Sequence, residues 1–194
     1  MPDARQPLPL GRIKSDTITT QTTPRTPGHP SGPGGAYATN LVTTMDTLLV
    51  GAPLAGTAIA LSEVPDAVFA EAMVGPGGAV DPDRRPTTAY APITGTLVKL
   101  KPHAFVVVGT DGRGVLVHLG IDTVNLDGEG FELLTEEGVE IVAGSPVIRW
   151  NPAAVQARGL SPVCPVIALD APGEAVQDVA RGAIEPGGAL FQWV

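Results

Sequence analysis

Proline and glycine are spread through this chain at a density that long helices do not survive. Of its 194 residues, 24 are glycine and 20 are proline. A glycine inside a helix costs about 1 kcal/mol relative to alanine and a proline roughly 3. The distribution suits many short strands joined by tight turns, so the expected class is all-β. The length favours one domain. A domain of this size buries roughly 70% of its unfolded surface, enough for a core without disulfides or a structural metal. Cys164 is the single cysteine, which rules out a disulfide within the chain and fits a reducing compartment.

Charge and motifs narrow the function further. Lys and Arg number 12 against 20 Asp and Glu, a net charge of −8. The basic residues are scattered, as at Arg84, Arg85, Lys99, Lys101 and Arg113. Phosphate backbones want a basic patch, so nucleic acid is not an expected partner. No stretch approaches the roughly 20 apolar residues of a membrane span, and the N-terminus has no apolar signal-peptide core. The expectation is a soluble intracellular protein. No P-loop, dinucleotide fingerprint or nucleophile elbow is present. Cys164, between Val163 and Pro165 in an apolar run, reads as a structural thiol. Histidine is the tightest limit, because only His29, His103 and His118 exist.

Residues 1–46 are rich in Pro, Thr and Gly without a hydrophobic period, and are expected to be a disordered tail. His29 falls in that tail and reads as a solvated linker residue. Apolar content rises at Thr47, and the core domain is expected over 47–171. Residues 172–194 read as a C-terminal extension of uncertain order. Within the core, Ala52-Pro53-Leu54-Ala55-Gly56-Thr57 recurs as Ala91-Pro92-Ile93-Thr94-Gly95-Thr96, four identities in six, which implies two related supersecondary units. Asp66 to Val74 suits a short helical turn. Phe105–Val108 and Val115–Leu119 are apolar, β-branched runs around a Gly-rich loop holding an Asp-Gly pair, the signature of a hairpin. Val139–Val142 and Pro146–Trp150 flank Ala143-Gly144-Ser145 and predict a second hairpin. Pro162–Ala168 predicts a last strand. Short connections favour antiparallel pairing throughout.

The first hairpin brings His103 and His118 together. A loop turning near Asp111 places the two imidazoles almost directly opposite, roughly 5 Å apart at Cβ. Alternation puts His118 on the face of Leu116, with Val115, Val117 and Leu119 on the other. Burial and a cationic neighbour both disfavour the imidazolium, so His118 is expected as a neutral, nucleophilic ring. Asp122 is the candidate orienting carboxylate. The competing reading is a core histidine satisfied by a backbone carbonyl beside an Asp-Thr turn. Two imidazoles and a carboxylate could also hold a metal with an open position, but no His-x-His or His-Glu-x-x-His supports it. Without a nucleotide site, a phosphoryl group could still be carried on histidine, arriving from one protein and leaving to another.

A longer set of motifs carries a resemblance. Ala52-Pro53-Leu54-Ala55-Gly56, Val68-Phe69-Ala70-Glu71-Ala72-Met73-Val74-Gly75, His103-Ala104-Phe105, Val117-His118-Leu119-Gly120-Ile121-Asp122-Thr123-Val124 and Gly128-Glu129-Gly130-Phe131 together resemble the glucose-type IIA component of the bacterial phosphoenolpyruvate-dependent sugar phosphotransferase system, in its actinobacterial branch. The likeness spans about residues 47–170. It implies a compact antiparallel β-sandwich/barrel with duplicated halves and little helix. It also implies a relay in which His118 accepts phosphate from the phosphocarrier HPr and passes it to a cysteine of the IIB domain of a sugar permease. His103 then assists transfer and stabilises the phosphohistidine, with no cofactor and no metal. The implied setting is cytoplasmic, touching the membrane only through a permease of glucose or N-acetylglucosamine type.

Both partners must exclude water from a labile phosphoryl group, so Phe105, Leu116, Leu119 and Val124 are candidates for an apolar docking rim. Enteric members carry a stretch before the first histidine that is longer by two residues and contains a site threonine. Lys99-Leu100-Lys101-Pro102-His103 has none, and Lys101 reads either as a phosphoryl-facing charge or as a solvated loop residue. Three other classes compete. A biotinyl or lipoyl carrier would need a lysine at a hairpin tip that is missing here. A zinc peptidase would need more ligands. A regulatory protein signalling sugar flux through its phosphorylation state would use the same residues.

Overall fold

The two Ala-Pro-x-x-Gly copies each lead into a strand at an equivalent place. The structure is a computed structural model and describes residues 46–194; the expected tail, apart from Asp46, lies outside them, as does His29. In chain order the strands are β1 (Leu48–Gly51), β2 (Gly56–Ala60), β3 (Gly77–Pro82), β4 (Thr87–Tyr90), β5 (Gly95–Lys101), β6 (Ala104–Val108), β7 (Gly114–His118), β8 (Phe131–Leu133), β9 (Glu140–Ile141), β10 (Pro146–Trp150), β11 (Cys164–Ala168), β12 (Val176–Gln177), β13 (Gly182–Ile184) and β14 (Ala189–Trp193). Two short helices are α1 (Ala67–Ala70) and α2 (Pro152–Ala157). Asp66 accepts a hydrogen bond from Phe69 N–H to start α1, and Asn151 caps α2 ahead of Pro152. Asn-Pro is a helix start signal, with the side chain capping and proline in the first turn.

Every pairing is antiparallel. The large sheet runs β13-β2-β3-β11-β7-β6-β5-β9, flanked by three-stranded sheets β1-β14-β12 and β4-β10-β8. The order is its own mirror about the β11/β7 pair, with β2 answering β5 and β3 answering β6. The repeat thus appears as internal pseudo-symmetry, and the hydrogen bonds obey it. Gly51 N–H donates to the Pro92 carbonyl at 2.9 Å while Tyr90 N–H donates to the Pro53 carbonyl at 2.8 Å. Each copy also captures a distant turn. Ala91 exchanges hydrogen bonds with Gly144 and Ser145, and Ala52 does the same with Gly187 and Gly188.

Those captures explain two departures from the sequence reading. The run 139–150 is not a hairpin: β9 pairs with β5, whereas β10 pairs with β4 and β8. The turn at Gly144 is bonded to Ala91 and so hands the chain from one sheet to another. The residues after Asp170 are woven in likewise. β14 pairs with β1 and β12, β13 pairs with β2, and Leu190 and Phe191 are fully buried. They supply to the first repeat what β9 and β10 supply to the second, so 172–194 is ordered and part of the sandwich. The core between the sheets holds Trp150, Phe105, Phe191, Leu54, Ile93 and Leu97, with Leu54 and Ile93 filling the same position of the repeat.

The repeat glycines are required by close approach. A methyl group on Gly95 would lie 2.1 Å from the Val108 carbonyl oxygen, and one on Gly56 would lie 2.2 Å from that of Asp81. Gly95→Ala is therefore expected to cost about 3 kcal/mol in urea unfolding, since backbone has no side-chain freedom with which to yield. Gly173→Ala, with nothing within 4 Å, should leave the midpoint unchanged.

Candidate active site

His118 closes β7, and His103 sits in the two-residue turn between β5 and β6. The β6/β7 register pairs Ala104 with His118, one step from the direct opposition expected. The loop explains the step. Asp111 accepts from Arg113 N–H at 3.0 Å, and Gly109 N–H donates to the Arg113 carbonyl at 2.9 Å, so five residues centre on Asp111 itself. Leu119 N–H instead donates to the His103 carbonyl at 2.7 Å, and the diagonal neighbours still meet, with ring centroids 5.3 Å apart at 55°. The pseudo-symmetric bond is Ala168 N–H to the Pro76 carbonyl at 2.8 Å. By the same correspondence, Pro76 and Ile167 stand where this half carries His103 and His118. The duplication repeats the frame and leaves the imidazoles in one half.

The alternation along β7 is as read. Val115, Val117 and Leu119 are fully buried, while Leu116 and His118 are half-buried on the other face. Phe69, delivered by α1, covers that face with its ring 5.5 Å from His118. It belongs to a second apolar cluster with Leu61, Ile121, Val163 and Ile167. Phe69 was missed as a site residue because its closeness to His118 spans 49 positions of sequence.

His118 Nδ1 lies 2.6 Å from the Gly120 carbonyl oxygen. A carbonyl only accepts, so Nδ1 carries the proton and the neutral ring has its lone pair on Nε2. The orienting group is this carbonyl. Asp122 is exposed, has a left-handed backbone with φ of 57°, and makes no side-chain capping bond. Gly120 is itself left-handed at φ of 78°, and a methyl there would lie 2.6 Å from Thr123 Cγ2.

Burial holds the His118 pKa below the ordinary 6.5; the Gly120 carbonyl opposes that, His103 lowers it further, and Asp66 and Asp122 raise it slightly. Burial also lowers His103, helped by the charge of exposed Lys101. Both rings are neutral near pH 7. Because the folded-state values are depressed, this contribution to stability is complete above pH 6.5 and is lost as pH falls through the folded-state pKa values. An NMR titration is expected to place both midpoints below 6.5, with His118 taking up no proton near pH 7. Among the described residues no group of three or more His, Cys, Asp or Glu is arranged to hold a metal ion. Cys164 is buried, donates to the Pro162 carbonyl at 3.2 Å, and has its pKa raised by burial, so it is no thiolate.

The docking rim changes composition. Phe105 is 1% exposed and Leu119 is 0%; both lie on the core face, Phe105 because it pairs with Val117, and neither can meet a partner. Leu116 remains half-buried beside Phe69, and Val124 is 55% exposed. Val68 and Met73, exposed at 45% and 71%, are near Phe69 in sequence.

The family described as phosphoenolpyruvate-dependent sugar phosphotransferase system, EIIA 1, matches residues 48–172. The chain is 38% identical over 122 residues to the glucose-specific EIIBCA component of Corynebacterium glutamicum, covering 63% of this chain and 18% of that protein. It is 36% identical over 122 residues to the glucose-specific EIIA component of Staphylococcus aureus, covering 62% and 72%. The solved glucose permease IIA from Mycoplasma capricolum superposes with a TM-score of 0.70 at 35% identity, covering 75% of this chain and 95% of that one. The chain spans about a fifth of the length of the fused relative and most of the stand-alone ones. No helix among the described residues is long and apolar enough to cross a membrane.

Proposed function

The chain belongs to the EIIA 1 family of the phosphoenolpyruvate-dependent sugar phosphotransferase system, and from that premise we propose that it is a cytoplasmic phosphoryl carrier loading and unloading at His118. The observation that carries the assignment is the 2.6 Å contact between Nδ1 and the Gly120 carbonyl. It leaves Nε2 as the free nucleophile beside a second imidazole.

Loading starts from phospho-HPr. The Nε2 lone pair attacks phosphorus in line, an N–P bond forms, and the bond from phosphorus to HPr breaks with its electrons leaving on HPr. The Nδ1 proton stays in place against Gly120, so no proton has to be moved. Once the phosphoryl group is on Nε2, an N–H of His103 faces its oxygens and stabilises the charge that accumulates as it leaves. Unloading reverses the ring's part: a cysteine sulfur of the IIB domain attacks phosphorus and the N–P electrons return to Nε2. Phe69 and Leu116 offer apolar surface beside His118 that a docked partner completes, excluding water from the labile group. Relatives named for glucose and N-acetylglucosamine support a permease of that type as the recipient.

The test is incubation with Enzyme I, HPr and labelled phosphoenolpyruvate. One label per chain is expected, stable to base and lost in acid. An acid-stable label, or none, overturns the proposal.

A further inference from the structure

The turn that presents the Gly120 carbonyl is held by a residue that no step of the relay uses. Thr123 is the single buried polar residue among those described, at 0% exposure, and its hydroxyl donates to the Leu119 carbonyl at 2.7 Å. Burying a hydroxyl is costly without a partner, and this one spans four residues to close the turn 119–123. The peptides on either side of Gly120 are pinned together. Leu119 C=O is held by Thr123, and Ile121 N–H, on the peptide whose carbonyl meets His118, donates to the Ser161 carbonyl at 2.7 Å. The Thr123 methyl also fills the space that any side chain at Gly120 would occupy.

We propose that Thr123 is a positioning residue for phosphoryl transfer: its hydroxyl fixes the turn that aims the Gly120 carbonyl at Nδ1, and so holds His118 in the tautomer with Nε2 free. The competing tautomer, with the proton on Nε2, has no lone pair for phosphorus. The tautomer of a histidine is set by the bond its other nitrogen makes, and partners that orient a metal-bound imidazole are worth 10–100-fold by analogy. Thr123→Val keeps the branched shape and removes the donor, leaving the Leu119 carbonyl unpaired in the interior. Thr123→Ser keeps the donor and removes the methyl.

The inference rests on the reading of His118 as phosphoryl acceptor, and the test has two readouts so that they fail separately. Nitrogen-15 chemical shifts of the His118 ring report the tautomer with no phosphoryl donor present; labelling from phospho-HPr reports transfer. In Thr123→Val, folded by circular dichroism, the ring is expected to show a mixture of tautomers and the labelling rate to fall about tenfold. Thr123→Ser should restore both. Thr123→Ala serves if Thr123→Val does not fold. A hydroxyl-free variant with His118 still wholly Nδ1-protonated overturns the inference, as does equal impairment in Thr123→Ser. Failure of the wild-type chain to take label at all would overturn the carrier function and leave the tautomer result standing.

Discussion

His118→Ala is expected to abolish labelling from phosphoenolpyruvate while leaving the fold intact. The ring is half-buried at the end of β7, on the face away from the main core, and its removal deletes contacts to Phe69 and His103 without opening the sandwich. Removing a nucleophile typically costs four or more orders of magnitude in rate, which in this assay is no label above background. Stability should fall by no more than about 1 kcal/mol, because the ring is only half-buried and lies outside the main core. His103 cannot substitute, since it sits in a turn and lacks the Gly120 carbonyl that fixes His118. Label persisting in His118→Ala at the wild-type rate would remove His118 from the relay.

The second large effect is expected at His103. In His103→Gln the amide can still offer an N–H, but on a flexible chain in place of a ring set 5.3 Å from His118 by the turn at Pro102. Loading from phospho-HPr should persist, because the nucleophile and its tautomer are untouched. Onward transfer to a IIB domain is expected to fall by about 10²–10³, the usual effect of losing one donor aimed at developing charge. The measurement is decay of labelled protein on mixing with purified IIB in a quench-flow apparatus. Loading and unloading reduced alike would assign His103 to general packing of the site, and unchanged unloading would exclude it from the relay.

Much of the site was legible because histidine is scarce. With one of three in the N-terminal region, two remained, and the Asp-Gly loop between their strands brought them together. The register slipped by one because the loop holds five residues centred on Asp111, a count set by the Asp111 side chain bonding Arg113 N–H. The face of His118 was correct, since alternation along Val115–Leu119 involves only consecutive residues. Phe105 and Leu119 were misplaced on the rim because hydrophobicity does not tell a core face from a docking face; pairing across the hairpin does. Asp122 is the nearest carboxylate in sequence, yet it is exposed on a left-handed backbone, and Nδ1 meets the Gly120 carbonyl instead.

By itself the sequence determined the strand content, the two repeat units, the hairpin and the pair of imidazoles. Those follow from period-two patterning, turn residues and short spacings, all properties of neighbouring residues. Tertiary structure decided that 172–194 completes the first repeat, that β9 and β10 part company at a turn captured by Ala91, and that Phe69 covers His118. It also decided which nitrogen of His118 is free. Those outcomes depend on hydrogen bonds and contacts between groups tens of residues apart, or on the direction of one carbonyl, and neither leaves a local pattern in the chain.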